Sequence, residues 1–218
     1  MIPASSPSNP PAIPKVVDPA KEELQSHLHV MAEDGHDRVW AVGPLLPAEI
    51  DSPSKPTRRP DGNIISWLDT CGDRTVVYVC FGSQVVLRNN QMEQIADGLE
   101  KSGAKFLWCI KEAPKGSAKG GDYGVIPSGF DDRIAGRGLV VREWAPKVMI
   151  LRHRAVGAFL THCGWNSVLE GLMAAVPMLA WPMEGEQFLN VNLLVDELKV
   201  ATQVCEGAQT IPDSDKLA

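Results

Sequence analysis

The chain has 218 residues, 44% of them apolar and 22% charged, which is enough to bury a core in one or at most two domains. With 21 basic against 27 acidic residues it carries a formal charge of −6, which excludes the basic field that nucleic-acid phosphates or an anionic membrane surface would require. Polar residues interrupt every apolar stretch long before the roughly 20 residues of a membrane helix, so no membrane span is expected.

Prolines occupy six of the first twenty positions, so this stretch lacks the backbone donors for helix or central strand and reads as an extended linker. Residues 21–33 place Leu24, Leu28 and Met31 on one stripe and predict a short helix. Trp40, Leu45 and Leu46 follow, and 52–62 returns to loop composition. The start, Met1-Ile2-Pro3-Ala4, has neither the basic end nor the apolar middle of a secretory signal. Cys71, Cys80, Cys109, Cys163 and Cys205 are odd in number and never form a CxxC pair, which argues against a disulfide framework and a zinc site. A reducing, cytoplasmic setting is the expectation.

From residue 63 onward, strands alternate with helices at the spacing of a parallel sheet with crossover helices. The predicted order is strand 75–81, helix 89–102, strand 105–110, a helical segment 131–135, strand 138–142 and a short helix from Pro146. Strand 156–160, a helix opening at Asn166, strand 178–181, helix 186–198 and strand 200–204 complete it. Near-continuous apolar runs such as 75–81 suit a sheet covered by helices on both faces. The stretch 111–128, rich in glycine, lysine and proline, has no period and reads as a mobile surface loop. The expectation is an α/β, Rossmann-like parallel-sheet domain over 63–218, after a Pro-rich segment and interdomain linker over 1–62.

In an open parallel sheet, ligands bind outside the carboxyl ends of the strands. Three such ends carry polar residues. At Phe81-Gly82-Ser83, glycine permits close backbone approach and the Ser83 hydroxyl can meet a phosphate, or the segment is an ordinary turn. At Thr161-His162-Cys163-Gly164-Trp165-Asn166-Ser167, Gly164 is expected to make the tight turn, and Asn166 or Ser167 to cap the next helix with its free N–H groups facing the crevice. His162 there is either a diphosphate donor or a structural histidine. Glu170, one turn further on, is either an acceptor for a ribose diol or a solvated helix residue. At Met183-Glu184-Gly185-Glu186-Gln187, acid and amide side chains cluster as sugar hydroxyls require. Trp144 is either a stacking platform for a flat base or a core residue. Residues 81–86 contain no GxGxxG, which disfavours a nicotinamide-dependent oxidoreductase. The DxD triplet 213–215 sits in a proline-led polar stretch and is read as chance.

The segment 144–187, WAPKVMILRHRAVGAFLTHCGWNSVLEGLMAAVPMLAWPMEGEQ, resembles the signature of plant UDP-dependent glycosyltransferases that modify secondary metabolites. The resemblance continues through VWAVGPLLP, SWLDTCGDRTVVYVCFGSQ and VDELKVATQVCEG, and is strongest to enzymes that glycosylate flavonols. It implies the C-terminal, donor-binding domain of a GT-B glycosyltransferase. By that resemblance Trp144 stacks on uracil, Ala145 reads the base edge through its backbone, and Ser83, His162, Asn166 and Ser167 hold the diphosphate. Glu170 takes the ribose, while Trp165, Glu186 and Gln187 hold the sugar, the terminal glutamine leaning towards UDP-glucose.

Three positions depart from the family pattern. Lys147 stands where glutamine is usual, and donor affinity is expected to suffer. Ala175 replaces a glycine, a mild change if its φ is negative. Glu186 replaces an aspartate and reaches one methylene further. The resemblance implies no metal and no cofactor. It implies a monomer that takes UDP-glucose and a small phenolic acceptor, with inversion at the anomeric carbon. The acceptor domain and its catalytic histidine are expected in a missing N-terminal half, and the C-terminal end is read as truncated.

Overall fold

The computed structural model describes residues 61–111, 122–142 and 144–218. The helix expected at 21–33, and the middle of the loop expected at 111–128, lie outside the described residues. The described end of that loop is pinned: Asn89 N–H donates to the Asp122 carbonyl (2.9 Å) and Gly124 N–H to the Leu87 carbonyl (2.8 Å).

Among the described residues six strands form one parallel sheet: β1 (Val76–Cys80), β2 (Lys105–Cys109), β3 (Gly138–Val141), β4 (Val156–Thr161), β5 (Met178–Ala180) and β6 (Ala201–Gln203). Their order is β3-β2-β1-β4-β5-β6, the doubly wound arrangement the alternating pattern implies. Five of the predicted strands are one or two residues longer than the observed ladders, and the one at 156–160 falls one residue short of β4.

Helix α1 (Asp61–Asp69) precedes the sheet, α2 (Asn89–Ser102), α3 (Phe130–Arg133), α4 (Lys147–Leu151), α5 (Trp165–Met173) and α6 (Gln187–Asn192) lie in the connections between strands, and α7 (Ser214–Leu217) follows the last strand. Alternation of side chains along each strand divides the core in two. Tyr78, Leu107 and Phe159 face Ile64, Leu68, Ile150, Val168 and Leu194. Val79, Trp108, Leu160 and Trp181 face Met92, Ile95, Leu99 and Phe130. Both faces are apolar, which explains strands that read as unbroken hydrophobic runs.

Helix α2 ends where the sequence predicts because Gly103 takes a left-handed φ of 67°. Its first turn is tied across the fold by the buried Gln91. The side-chain oxygen accepts from Arg88 N–H (2.9 Å), and the amide donates to the carbonyls of Ala208 (3.0 Å) and Thr210 (2.8 Å). Between β1 and β4 the register slips, with Val76 opposite Val156 and Val77 opposite Ala158. Gly157 is the bulged residue, and a Cβ there would stand 2.2 Å from the Arg74 carbonyl oxygen.

Four features differ from or add to the sequence-based expectation. Helix α1 begins at Asp61, where Gly62 had marked the end of a loop; Ile64 and Leu68, one turn apart, bury its inner stripe. The helix expected at 186–198 is α6 followed by a π-helical turn, Leu193–Glu197, closed by Leu198 N–H to the Leu193 carbonyl (2.9 Å). The wider turn rephases the chain so that Leu194 is fully buried and Val195 also packs on the core. The triplet 213–215 opens α7, where Asp213 caps the helix by accepting from Asp215 N–H (3.0 Å) and Asp215 pairs with Lys101 (2.6 Å).

The fourth is Ala175, whose φ is +53° and not negative. It follows α5 in a Schellman turn: Val176 N–H donates to the Gly171 carbonyl (3.1 Å) and Ala175 N–H to the Leu172 carbonyl (3.0 Å), a geometry that demands the left-handed region at the residue between. Alanine is strained there. Ala175→Gly is expected to stabilise the chain by about 0.5–1 kcal/mol, the relief of strain exceeding the entropy cost of glycine. Thermal unfolding checks it; an unchanged or lower midpoint would show that the alanine carries no strain.

Candidate functional site

Because all strands run parallel, the carboxyl ends of β1, β2, β4 and β5 share one edge, and the strand order reverses between β1 and β4. An open cleft lies along that edge in two compartments. The first, about 510 Å³, is lined by Tyr78, Cys80, Cys109, Ile110, Arg142, Trp144 and Ala145, among others. The second, about 620 Å³, runs along His162, Gly164, Trp165, Asn166 and Ser167 to Glu184 and Gln187. Gly82, Ser83 and Lys147 wall both compartments. Trp144, Ala145, Lys147, Ser83, His162, Trp165, Asn166, Ser167, Glu186 and Gln187 therefore converge on a single cleft.

The corner between β4 and α5 is built by backbone strain and two hydrogen bonds. Cys163, not Gly164, takes the left-handed conformation, with a φ of 61°, whereas Gly164 is extended at −61°, 147°. A non-glycine residue in this region costs of order 1 kcal/mol, and the surroundings hold it there. Cys163 N–H donates to the Thr161 hydroxyl (3.3 Å), and the buried Asn190 amide donates to the Cys163 carbonyl (2.9 Å). Glycine is needed at 164 for a different reason than turning. A Cβ there would lie 2.6 Å from His162 Nε2, and one on Gly82 would lie 2.8 Å from His162 Cε1. The imidazole is clasped between two bare backbones.

Burial pushes the His162 imidazole down to about 4, the positive charge of Lys147 adding to the effect and the Glu186 carboxylate opposing it. The ring is therefore neutral near pH 7 and offers one N–H donor. Its buried Nδ1 has no hydrogen-bond partner among the described residues. The start of α5 presents Trp165 and Asn166, both exposed, and Ser167, which is buried. Orphan N–H groups of the first turn add the positive end of the helix to this compartment.

Lys147 is the first residue of α4 and reaches α5. Its Nζ lies 2.5 Å from Glu170 Oε2 and donates to the Ser167 hydroxyl (3.1 Å). Both members of the ion pair are mostly buried, with side-chain exposures of 21% and 16%. Glu170 does not itself wall the cleft; Lys147 occupies it. Gln187 is buried, and its side-chain oxygen accepts from Met183 N–H (2.9 Å) and Glu184 N–H (3.2 Å). That oxygen is committed to shaping the loop, which leaves the amide N–H groups as the donors Gln187 can offer a ligand. Trp144 is 70% exposed, so the core alternative for it falls away. Ala145 accepts from Lys147 N–H (2.9 Å) and keeps a second lone pair.

Sequence reasoning overlooked Tyr78, Cys80 and Cys109, which floor the first compartment. Cys80 stands opposite Cys109 in the β1–β2 register, and Tyr78 shares the face of Cys80 two residues away. Alternation counted back from the strand ends would have exposed them. All five cysteines are free.

Residues 46–209 match the family model described as UDP-glucoronosyl and UDP-glucosyl transferase. The chain is 56% identical over 190 residues to a flavonol 3-O-glucosyltransferase of Arabidopsis thaliana, covering 87% of this chain and 40% of that protein. It is 48% identical over 189 residues to a flavonol 7-O-rhamnosyltransferase of the same plant, covering 84% and 43%. The crystal structure of Arabidopsis thaliana UGT89C1 complexed with UDP-L-rhamnose superposes with a TM-score of 0.69 at 47% identity, over 84% of this chain and 42% of that one. The chain thus spans about two fifths of the length of these relatives. Cleft, strand order and signature agree, and the chain belongs to the UDP-glucoronosyl and UDP-glucosyl transferase family, with the Rossmann-like architecture of the GT-B plant enzymes.

Proposed function

We propose that this chain is the donor-binding half of a glycosyltransferase that moves glucose from UDP-glucose to a hydroxyl of a small, flavonoid-like phenol with inversion. The supporting observation is the two-compartment cleft, in which an exposed tryptophan stands at one end and a neutral histidine beside a helix N-terminus at the other. Uracil stacks on Trp144 and the diphosphate lies along Ser83, His162, Asn166 and Ser167. The sugar reaches Trp165, Glu186 and Gln187. The names of the relatives carry both glucosyl and rhamnosyl transfer, and the terminal glutamine is what favours glucose here.

In an inverting displacement a base takes the acceptor hydroxyl proton, the oxygen attacks the anomeric carbon, and the bond to UDP breaks. The share of this chain is the leaving group. Helix N–H groups and the His162 N–H spread the charge that develops on the diphosphate oxygens, in positions set before the reaction begins. Burial holds the His162 imidazole at about 4, so it meets the diphosphate as a neutral donor.

Calorimetric titration of the folded chain with UDP and UDP-glucose tests the reading, and binding in the micromolar to millimolar range is expected. Absence of heat for either ligand up to millimolar would reject it. Adding a flavonol to the UDP-glucose complex and assaying for glucoside separates an active transferase from a chain that binds without turnover.

A further inference from the structure

The donor-site reading treats Glu170 as the acceptor for the ribose diol, yet in the structure that carboxylate is already occupied by Lys147 at 2.5 Å. We infer that Lys147 is a specificity-determining residue with two partners: it pairs with Glu170, as in the structure, and turns to the diphosphate when a nucleoside diphosphate binds, freeing Glu170 for the ribose. The inference deepens the donor-site reading and rests on it.

Position supports the exchange. Lys147 walls both compartments, and its Nζ is bonded to Ser167 in the first turn of α5, at the floor of the anion compartment. His162, in the same compartment, feels its charge. One ammonium thus stands between two anionic claims, a single carboxylate behind it and the multiply charged diphosphate in front. In a partly buried site the larger charge prevails once it comes within reach of the ammonium. The ammonium stem has the rotatable bonds to swing without moving α4. A carboxylate held by an ammonium is a poorer acceptor for hydroxyl donors, so the ribose alone gains little from Glu170. A nucleoside lacking phosphates has nothing with which to draw Lys147 away. The chain is therefore built to reject uridine more strongly than a glutamine at 147 would, because a neutral amide leaves Glu170 unpaired from the outset.

The test compares UDP and uridine by calorimetry on the 218-residue chain and on the variants Lys147→Gln, Lys147→Met and Lys147→Arg, at low and high salt, with thermal unfolding to establish that each is folded. Lys147→Met keeps the apolar stem and removes the charge, so it serves if the glutamine variant fails to fold. Both neutral variants are expected to bind UDP more weakly and uridine as well as or better than the parent, lowering the UDP-to-uridine affinity ratio by about tenfold, the scale of one hydrogen bond to a charged group. The salt dependence of UDP binding should flatten in step. Lys147→Arg should hold the ratio within about threefold, since charge and reach are retained. Equal losses for both ligands, or a ratio that does not move, would overturn the inference while leaving the donor site intact. A parent chain that binds neither ligand would instead remove the donor-site reading, and the inference with it.

Discussion

His162→Ala is expected to weaken UDP binding by roughly 10- to 100-fold, the value of one hydrogen bond to a charged acceptor, while uridine affinity stays within about threefold. The imidazole sits in the compartment at the start of α5, clasped by Gly82 and Gly164, and far along the cleft from Trp144 in the other compartment. On the proposed donor-site reading, its loss removes a phosphate donor and leaves the stacking platform for the nucleobase in place. Gly164→Ala should produce the same selective loss by displacing the ring, since its new Cβ would meet Nε2 at 2.6 Å and φ at 164 is already compatible with alanine. Calorimetry with both ligands reads the outcome, and parallel losses for UDP and uridine would assign His162 a structural role only.

The same residue predicts a pH dependence whose sign is determined. In the folded chain the imidazole is held at about 4 against an ordinary 6.5, because burial and Lys147 disfavour its charged form. Between these values the unfolded chain binds a proton that the folded chain refuses, so stability from this group is complete above about pH 6.5 and is lost as the pH falls through about 4. Thermal midpoints measured from pH 7 down to 4 should drop more steeply for the parent than for His162→Ala. Identical slopes would mean that the ring titrates freely.

Trp144→Ala is expected to give the opposite signature: losses of about 1–3 kcal/mol for UDP and uridine alike, the range measured for a base stacked on an aromatic side chain. At 70% exposure the indole contributes little to the core, so the unfolding midpoint should stay close to that of the parent. A large aromatic face left in water beside Tyr78, Cys109 and Ile110 offers a flat heterocycle an indole to stack on. A loss confined to UDP would contradict base stacking, and a fall in stability with unchanged affinity would return Trp144 to a packing role. Run together, the two substitutions dissect the cleft into a base half and a phosphate half.

What was legible in the amino-acid sequence is local. The strand at 76–80 announces itself because both faces of the sheet are covered and every position is apolar. Helix α2 announces itself because an amphipathic stripe ends on a glycine able to adopt φ of 67°. That the candidate residues lie together was legible because a parallel sheet brings strand ends to one edge whatever the loops contain, so polar residues after 80, 161 and 180 had to meet. What the sequence did not disclose depends on partners distant along the chain. That Cys163 turns the corner is decided by Asn190, 27 residues away. That Ala175 is strained follows from the register in which α5 hands the chain to β5, and the π-helical turn from the need to seat Leu194 in a core assembled by other elements. The pairing of Lys147 with Glu170 joins the first residue of α4 to the second turn of α5, which only the packing of the two helices places side by side. Periodicity and turn chemistry are properties of neighbouring residues, and so are written in sequence; which carboxylate an ammonium faces is a property of tertiary packing, and only the folded chain decides it.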